Sequence, residues 1–277
     1  MYNFELLRIK KIAGILYSNV SEQSLNNDTV VIYGPGAPIP PDNGNLPDAK
    51  HILSYQTDLF VPDYIGYGRS DGICTPQGCI QTFLDLYHEF MAGTTAINHY
   101  SRKKRILKYK RIIFMGRSFG GSYIPLLPRF EKKISELCLI YPAVNNKACG
   151  SIQGEESNED FMRGMKKDGY HYLYRGITSP IWLKHLNNED GLAPVDNVKY
   201  LDNTKIFIGH GINDQCIDYS QSASFHKQLI TTHPQSKSNF KLILYKEAGH
   251  DYRTSNQAAY DSLQWFNLAK VKTTKEV

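Results

Sequence analysis

The sequence has 277 residues, of which 41% are hydrophobic, 12% aromatic and 21% charged. This length and composition suit one sizeable buried core, which excludes an intrinsically disordered protein. No run of eighteen apolar residues occurs, so we expect no membrane-spanning helix, and residues 1–20 lack the continuous apolar block of a secretory signal. The five cysteines are an odd number, which argues against a disulfide framework. We therefore expect free thiols and a cytoplasmic protein.

The formal net charge of +5 is modest, but seven of the ten residues from Arg102 to Arg111 are basic. Such a run is found in proteins with anionic partners. No aromatic recognition motif accompanies it, so we interpret it as a solvated helix end and loop and expect no nucleic-acid partner. No group of Cys and His residues has the spacing of a zinc site, and we expect no metal.

Short β-branched runs alternate with longer segments of helical periodicity, which is typical of an α/β fold with a mostly parallel central sheet. We predict eight strands, the first two as an antiparallel hairpin: 4–9, 12–17, 29–33, 58–62, 111–115, 137–141, 205–209 and 240–245. Helices are predicted around 80–91 and over 118–130, 220–231 and 254–269. The polar segment 145–203 is too long for an ordinary connection. We interpret it as a lid inserted into a single domain of residues 1–277.

A candidate nucleophile follows the strand predicted at 111–115, in Gly116-Arg117-Ser118-Phe119-Gly120. A Gly-x-Ser-x-Gly turn between a strand and a helix exposes the serine, and the flanking glycines leave room for the tight backbone. The pentapeptide alone is a weak signal, and its strand-to-helix context strengthens it. A glycine turn with an incidental serine is the alternative.

A serine hydroxyl needs a base, and the base needs an acid that orients it. His250 lies on the loop after the strand at 240–245, and Asp214 lies just beyond the strand at 205–209. Asp218 is the second choice for the acid. The order Ser118, Asp214, His250, each following a predicted strand, is the order of the α/β-hydrolase triad.

With these residues in place, the chain resembles α/β-hydrolase-fold serine hydrolases of the esterase and prolyl-oligopeptidase-like branch, from about Phe4 to Ala269. The segment from Asp63 to Ser70, Asp-Tyr-Ile-Gly-Tyr-Gly-Arg-Ser, is similar to one that follows the fourth strand in this superfamily, and Gly249-His250-Asp251 matches its pattern around the histidine. The resemblance implies an acyl-enzyme mechanism that needs no cofactor.

One departure concerns the oxyanion hole. The family places His-Gly-x after the third strand, whereas this chain reads Tyr33-Gly34-Pro35-Gly36. Proline has no N–H to donate. Either Gly36 supplies the donor through a shifted loop, or a side chain such as Tyr33 does. The backbone N–H of Phe119 is the expected second donor.

The substrate is less defined, and we expect a small acyl compound. Tyr170, Tyr172, Tyr174 and Trp182 are candidates for an aromatic pocket or for the lid's own small core, and Tyr33 and Arg117 are further candidate substrate contacts. Arg117 is expected to attract a carboxylate, to point to solvent or to pair locally. The acidic residues Glu155, Glu156, Glu159 and Asp160 either receive a substrate amine or form a solvated face.

Three functions remain open. The first is a serine hydrolase of carboxylic esters, similar to carboxylesterases. The second is a peptidase or aminopeptidase with the same triad. The third is a non-catalytic ligand-binding module on the same scaffold, which the proline in the oxyanion loop suggests.

Overall fold

The structure is a computed structural model that describes residues 2–19, 27–152 and 155–271. Within these ranges, no helix is both long enough and apolar enough to cross a membrane. All five cysteines lie in the described part of the chain, and all are free thiols.

A single mixed sheet of ten strands runs through the described residues. The strands are β1 (Tyr2–Ile9), β2 (Ile12–Asn19), β3 (Thr29–Gly34), β4 (Asp58–Pro62), β5 (Thr94–Asn98), β6 (Lys104–Leu107), β7 (Arg111–Arg117), β8 (Glu136–Ile140), β9 (Lys205–Gly211) and β10 (Phe240–Tyr245). Their order is β10-β9-β8-β7-β3-β4-β2-β1-β5-β6. Neighbours from β10 to β4 are parallel, and those from β4 to β6 are antiparallel. Buried apolar side chains on both faces form two hydrophobic cores.

Helices cover both faces of this sheet. They are α1 (Ala49–Ile52), α2 (Pro76–Ala92), α3 (Phe119–Tyr123), α4 (Leu127–Phe130), α5 (Asn158–Lys167), α6 (Tyr170–Leu173), α7 (Pro180–Leu186), α8 (Tyr219–Thr232) and α9 (Tyr252–Trp265). The apolar stripe predicted near residues 80–91 lies on α2, whose buried side chains pack on the sheet. The helix predicted over 118–130 is instead α3, a 3₁₀ turn and α4 in succession, because Pro125 and Pro128 interrupt regular helical hydrogen bonding.

All eight predicted strands are present, and a further hairpin, β5 and β6, extends the sheet beyond β1. Because β6 lies within the basic run from Arg102 to Arg111, the prediction of a helix end there is wrong, whereas residues 102–103 and 108–110 lie outside strands and helices, as the prediction of a loop expects. Half of β6 is solvent-exposed, including Lys104 and Ile106. The charged side chains of Lys104 and Arg105 on this edge strand disfavour pairing with a second sheet edge, which gives this part of the basic run a structural reason.

The glycine-rich segment after β4 forms a compact loop that supports the inserted segment 145–203. Asp63 accepts two hydrogen bonds from the Arg69 side chain, at 2.7 and 2.9 Å. Gly66 has φ +82°, and a Cβ there would lie 1.9 Å from the backbone nitrogen of Cys74. Trp182 of α7 donates from Nε1 to the carbonyl oxygen of Cys74 at 2.9 Å. The inserted segment is thus anchored to this loop, and its function as a lid stays a prediction.

Ser118 lies on the turn that joins β7 to α3, with φ 52° and ψ −118°. This backbone conformation is strained for a residue that has a side chain. A Cβ on Gly120 would lie 2.2 Å from the carbonyl oxygen of Gly34, and one on Gly116 would lie 2.6 Å from that of Gly120. The two flanking glycines therefore let β3, β7 and α3 approach closely enough to hold the turn.

This packing predicts the effect of a single methyl group. Gly120→Ala should lower the free energy of unfolding by about 1–3 kcal/mol or more, because the methyl meets backbone atoms that cannot rotate away. Gly164→Ala in α5 is the matched control, since nothing lies within 4 Å of its added Cβ. The control should gain about 0.5–1 kcal/mol from better helix propensity. Urea unfolding measures both, and equal stabilities would contradict the close packing at the turn.

Candidate active site

Four loops converge at the carboxyl ends of neighbouring parallel strands. Gly36 follows β3, Ser118 follows β7, Asp214 follows β9 and His250 follows β10. The loops after β9 and β10 are joined by a hydrogen bond from the Asn213 N–H to the carbonyl oxygen of Ala248, at 3.0 Å. This edge of a parallel sheet is where ligand sites of open α/β folds are found.

Asp214 and His250 form a hydrogen-bonded pair. Nδ1 of His250 lies 2.8 Å from Oδ2 of Asp214, and the Asp214 side chain is fully buried whereas that of His250 is 20% exposed. Because a carboxylate only accepts, the Nδ1 atom carries the proton and Nε2 is left as an acceptor. The alternative acid, Asp218, instead caps α8 by accepting from the Ser220 N–H at 2.8 Å. Asp214 is thus the carboxylate that contacts the histidine.

A second imidazole contacts the same carboxylate. Nε2 of the fully buried His210 lies 3.2 Å from Oδ2 of Asp214. The other oxygen, Oδ1, accepts from the N–H groups of Cys216 and Ile217, at 2.8 and 2.9 Å. Burial alone would raise the pKa of Asp214, but hydrogen bonds from His210 and His250 outweigh it and hold the pKa well below its ordinary value. Asp214 therefore stays ionised at neutral pH.

Ser118 and His250 line one cavity of about 350 Å³. The Ser118 hydroxyl makes no hydrogen bond to any described residue, the His250 ring included. In this type of site, the bond between nucleophile and base often shortens only when substrate binds. The site thus has a formed acid–base pair and an adjacent serine whose hydroxyl is not engaged elsewhere.

The loop after β3 brings Gly36 against the serine. A Cβ on Gly36 would lie 3.4 Å from Cβ of Ser118. The carbonyl oxygen of Pro35 accepts from the Tyr64 hydroxyl at 2.7 Å, which fixes the loop. The Gly36 N–H donates to no described atom. Of the two alternatives for the oxyanion donor, this placement favours Gly36, with Phe119 following Ser118 on the other side.

The predicted substrate contacts divide into two groups. Tyr33 is fully buried with its hydroxyl donating to Asp48, and Tyr172 is 77% exposed on α6. Neither lines the cavity, so both predictions are wrong, because the first side chain points into the core and the second into solvent. Trp182 and Arg117 do line it. Trp182 also packs in the core and stacks on Phe119 with ring centroids 5.8 Å apart.

Two residues at the site are not predicted by the sequence patterns. Tyr141, directly after β8, lines the cavity with its ring centroid 4.2 Å from that of His250. His210 holds the acid from inside the sheet, with Nδ1 2.7 Å from Oγ of Ser222. The position of both at the carboxyl end of a buried strand is the signal that could have indicated them.

Asp214, Cys216 and His250 also place three potential metal ligands within 4.8 Å of one another. Burial, with the neighbouring Asp214 carboxylate, raises the pKa of the Cys216 thiol to about 11. In this set, Nδ1 of His250 is already hydrogen-bonded to Asp214, an arrangement that fits proton transfer.

Comparisons with known proteins agree with the fold described above. The model of the prolyl oligopeptidase family matches residues 160–273. A Pyrococcus furiosus esterase is similar over 96% of this chain and 91% of its own, with a TM-score of 0.60 and 17% identity. Est1E from Butyrivibrio proteoclasticus, with ferulic acid bound, is similar over 95% and 98%, with a TM-score of 0.60 and 15% identity. A putative dipeptidyl aminopeptidase IV from Bacteroides ovatus is similar over 96% of this chain and 35% of its own, with a TM-score of 0.61 and 14% identity.

A search of curated protein sequences finds no significant match to this chain. The chain has the α/β-hydrolase fold. Its structural neighbours include esterases and peptidase-like enzymes.

The lowered pKa of Asp214 predicts a dependence of stability on pH. A carboxyl whose folded pKa lies below its unfolded value of about 3.9 stabilises the fold above that pH, and this stabilisation is lost as the pH falls. Asp214→Asn should therefore be clearly less stable than the unmodified protein at pH 7, and the gap should shrink below about pH 4. Asp202→Asn, which removes an exposed carboxylate, is the control. Urea unfolding across this range measures the gap, and a gap independent of pH would contradict the electrostatic account.

Proposed function

We propose that the protein is a serine hydrolase that cleaves carboxylic esters through an acyl-enzyme on Ser118. The observation that carries the proposal is the joint placement of two groups on one cavity wall. One is a serine on a strained, glycine-flanked turn, and the other is His250 bound through Nδ1 to the buried Asp214. Serine hydroxyls are activated by this combination on several unrelated folds.

The chemistry follows from the tautomer of His250. Oγ of Ser118 attacks the carbonyl carbon while Nε2 of His250 takes its proton. Asp214 stays ionised and stabilises the imidazolium that forms. The backbone N–H groups of Gly36 and Phe119 hold the developing oxyanion. His250 then returns the proton to the departing alcohol, and water hydrolyses the acyl-enzyme by the same steps.

Two observations bear on the choice between ester and amide substrates. The esterase from Pyrococcus furiosus and Est1E are matched over nearly their whole length, whereas the putative dipeptidyl aminopeptidase IV is matched over 35% of its own. The prolyl oligopeptidase family model favours the alternative, a peptidase or aminopeptidase with the same three residues. The ester proposal is the first choice because it rests on neighbours of similar size.

Ser118→Ala should lower the turnover of 4-nitrophenyl butyrate by about 10⁴-fold or more, because it removes the nucleophile. Ser122→Ala removes another hydroxyl from the same cavity wall and should retain most of the activity. The release of 4-nitrophenolate, followed by absorbance, measures the turnover of both variants, and their melting temperatures show whether they are folded. Turnover by Ser118→Ala at the rate of the unmodified protein would refute the assignment of the nucleophile.

The ester proposal also predicts a preference among substrates. For each substrate, kcat/KM is divided by the rate of uncatalysed hydrolysis in buffer, which gives a rate acceleration. This acceleration should be far larger for 4-nitrophenyl butyrate than for alanyl-4-nitroanilide or glycyl-prolyl-4-nitroanilide. A larger acceleration for either anilide would favour the peptidase alternative.

A further inference from the structure

A guanidinium without a protein acceptor lies beside the nucleophile. Arg117 is 8% exposed and lines the cavity together with Ser118. Its Nε lies 3.7 Å from the position that a Cβ on Gly36 would occupy. Within the described ranges, none of its five side-chain N–H groups donates to a protein atom, and no carboxylate lies within 4 Å of it.

The surroundings hold the cation in place without neutralising it. The guanidinium carbon lies 5.0 Å from the ring centroid of Tyr252, a cation–π contact. The buried carboxylate of Asp48 interacts electrostatically with Arg117 without forming an ion pair with it, and it already accepts hydrogen bonds from Tyr33 and Ser255. A desolvated guanidinium is costly unless its N–H groups find acceptors.

The other acidic groups on the cavity wall do not supply that acceptor. Asp251 pairs with the Arg253 side chain at 2.9 Å and caps α9 through the N–H groups of Arg253 and Thr254. Glu156 lies in the segment 145–203, where burial raises the pKa of its carboxyl and the neighbouring His250 opposes that rise. Arg117 is therefore the cation on this wall whose charge is not committed to a protein carboxylate.

We propose that Arg117 is a substrate-binding residue that selects esters carrying a carboxylate close to the scissile bond. This inference rests on the proposed function and adds the substrate class to it. The planar fork of a guanidinium matches a carboxylate with two parallel hydrogen bonds. Residues Phe119, Tyr123 and Trp182 form an aromatic part of the same cavity. The preferred substrate thus combines an apolar group with one negative charge.

The test compares esters that differ only in this charge. For the acyl side, the pair is 4-nitrophenyl hemiglutarate and 4-nitrophenyl pentanoate. For the leaving-group side, it is 4-acetoxybenzoate and methyl 4-acetoxybenzoate. In one of the two pairs, the unmodified protein should prefer the anion, and Arg117→Gln should lower kcat/KM for the anion by about tenfold or more. The neutral ester should change by less than about threefold.

Two further variants keep this test decisive. Arg117→Lys retains the charge without the fork and should recover part of the preference, even if Arg117→Gln folds poorly by its melting temperature. Arg163→Gln removes an exposed arginine from α5, near the cavity but outside its wall, and should leave the preference unchanged. If Arg163→Gln reproduces the loss, the effect is long-range attraction and the inference is wrong.

A binding measurement separates this inference from the proposed function. Ser118→Ala protein is titrated calorimetrically with monomethyl glutarate and with methyl pentanoate. The subsite is supported if Ser118→Ala binds the anion and the Ser118→Ala, Arg117→Gln double variant does not. This result would stand even if the unmodified protein hydrolyses neither ester and the proposed function fails. Two results would overturn the inference. The first is that Arg117→Gln lowers kcat/KM equally for charged and neutral esters. The second is that the unmodified protein prefers the anion in neither pair and Ser118→Ala does not bind monomethyl glutarate.

Discussion

The site depends on how closely three backbone segments pack at the end of the central sheet. The carbonyl oxygen of Gly34 approaches Gly120 so closely that not even a methyl group fits between them, and Gly116 is equally crowded. This contact fixes the turn after β7 and holds Ser118 at positive φ. Such strain persists only where the surrounding structure enforces it. The parallel strands on one side of the turn then deliver Asp214 and His250 to the same edge.

The electrostatics of the cavity follow from burial. Asp214 is a buried anion with two imidazoles and two backbone N–H groups around it, so its charge is well satisfied. Arg117 is a nearly buried cation that packs against the ring of Tyr252 and forms no ion pair with a described carboxylate. The low polarity of the buried site strengthens the electrostatic interactions of both groups and makes an unpaired charge costly. Asp214 therefore orients His250, and Arg117 gives the cavity a preference for an anionic ligand.

Local patterns predicted much of the fold because buried parallel strands carry a strong signal. Strands such as β4, β7 and β9 are buried at nearly every position and have apolar centres, and their ends predicted the places of Ser118 and Asp214. The hairpin of β5 and β6 was not predicted, because both strands are short and only partly buried. The contact between Asp214 and His250 was expected from their order along the chain, and the structure brings them to 2.8 Å.

Side-chain direction is what the sequence left open. Tyr33 lies near the end of β3 and Gly36 lies three residues later on the following loop, and only tertiary packing decides that the tyrosine enters the core while the glycine faces Ser118. The sequence likewise allowed three orientations of the Arg117 side chain: toward solvent, toward a local partner or toward a carboxylate in the cavity. The choice depends on Tyr252, which is 135 positions away in the chain. Periodicity describes which face a residue occupies and carries no information about such distant partners.

The central claim, that Ser118 reacts in a site prepared for an oxyanion, is tested most directly by a crystal structure of the protein after treatment with a fluorophosphonate. The account predicts a phosphorus–oxygen bond to Oγ of Ser118, with one phosphoryl oxygen within about 2.7–3.1 Å of the backbone nitrogens of Gly36 and Phe119. An unmodified Ser118, or an adduct whose phosphoryl oxygen points away from both nitrogens, would contradict it.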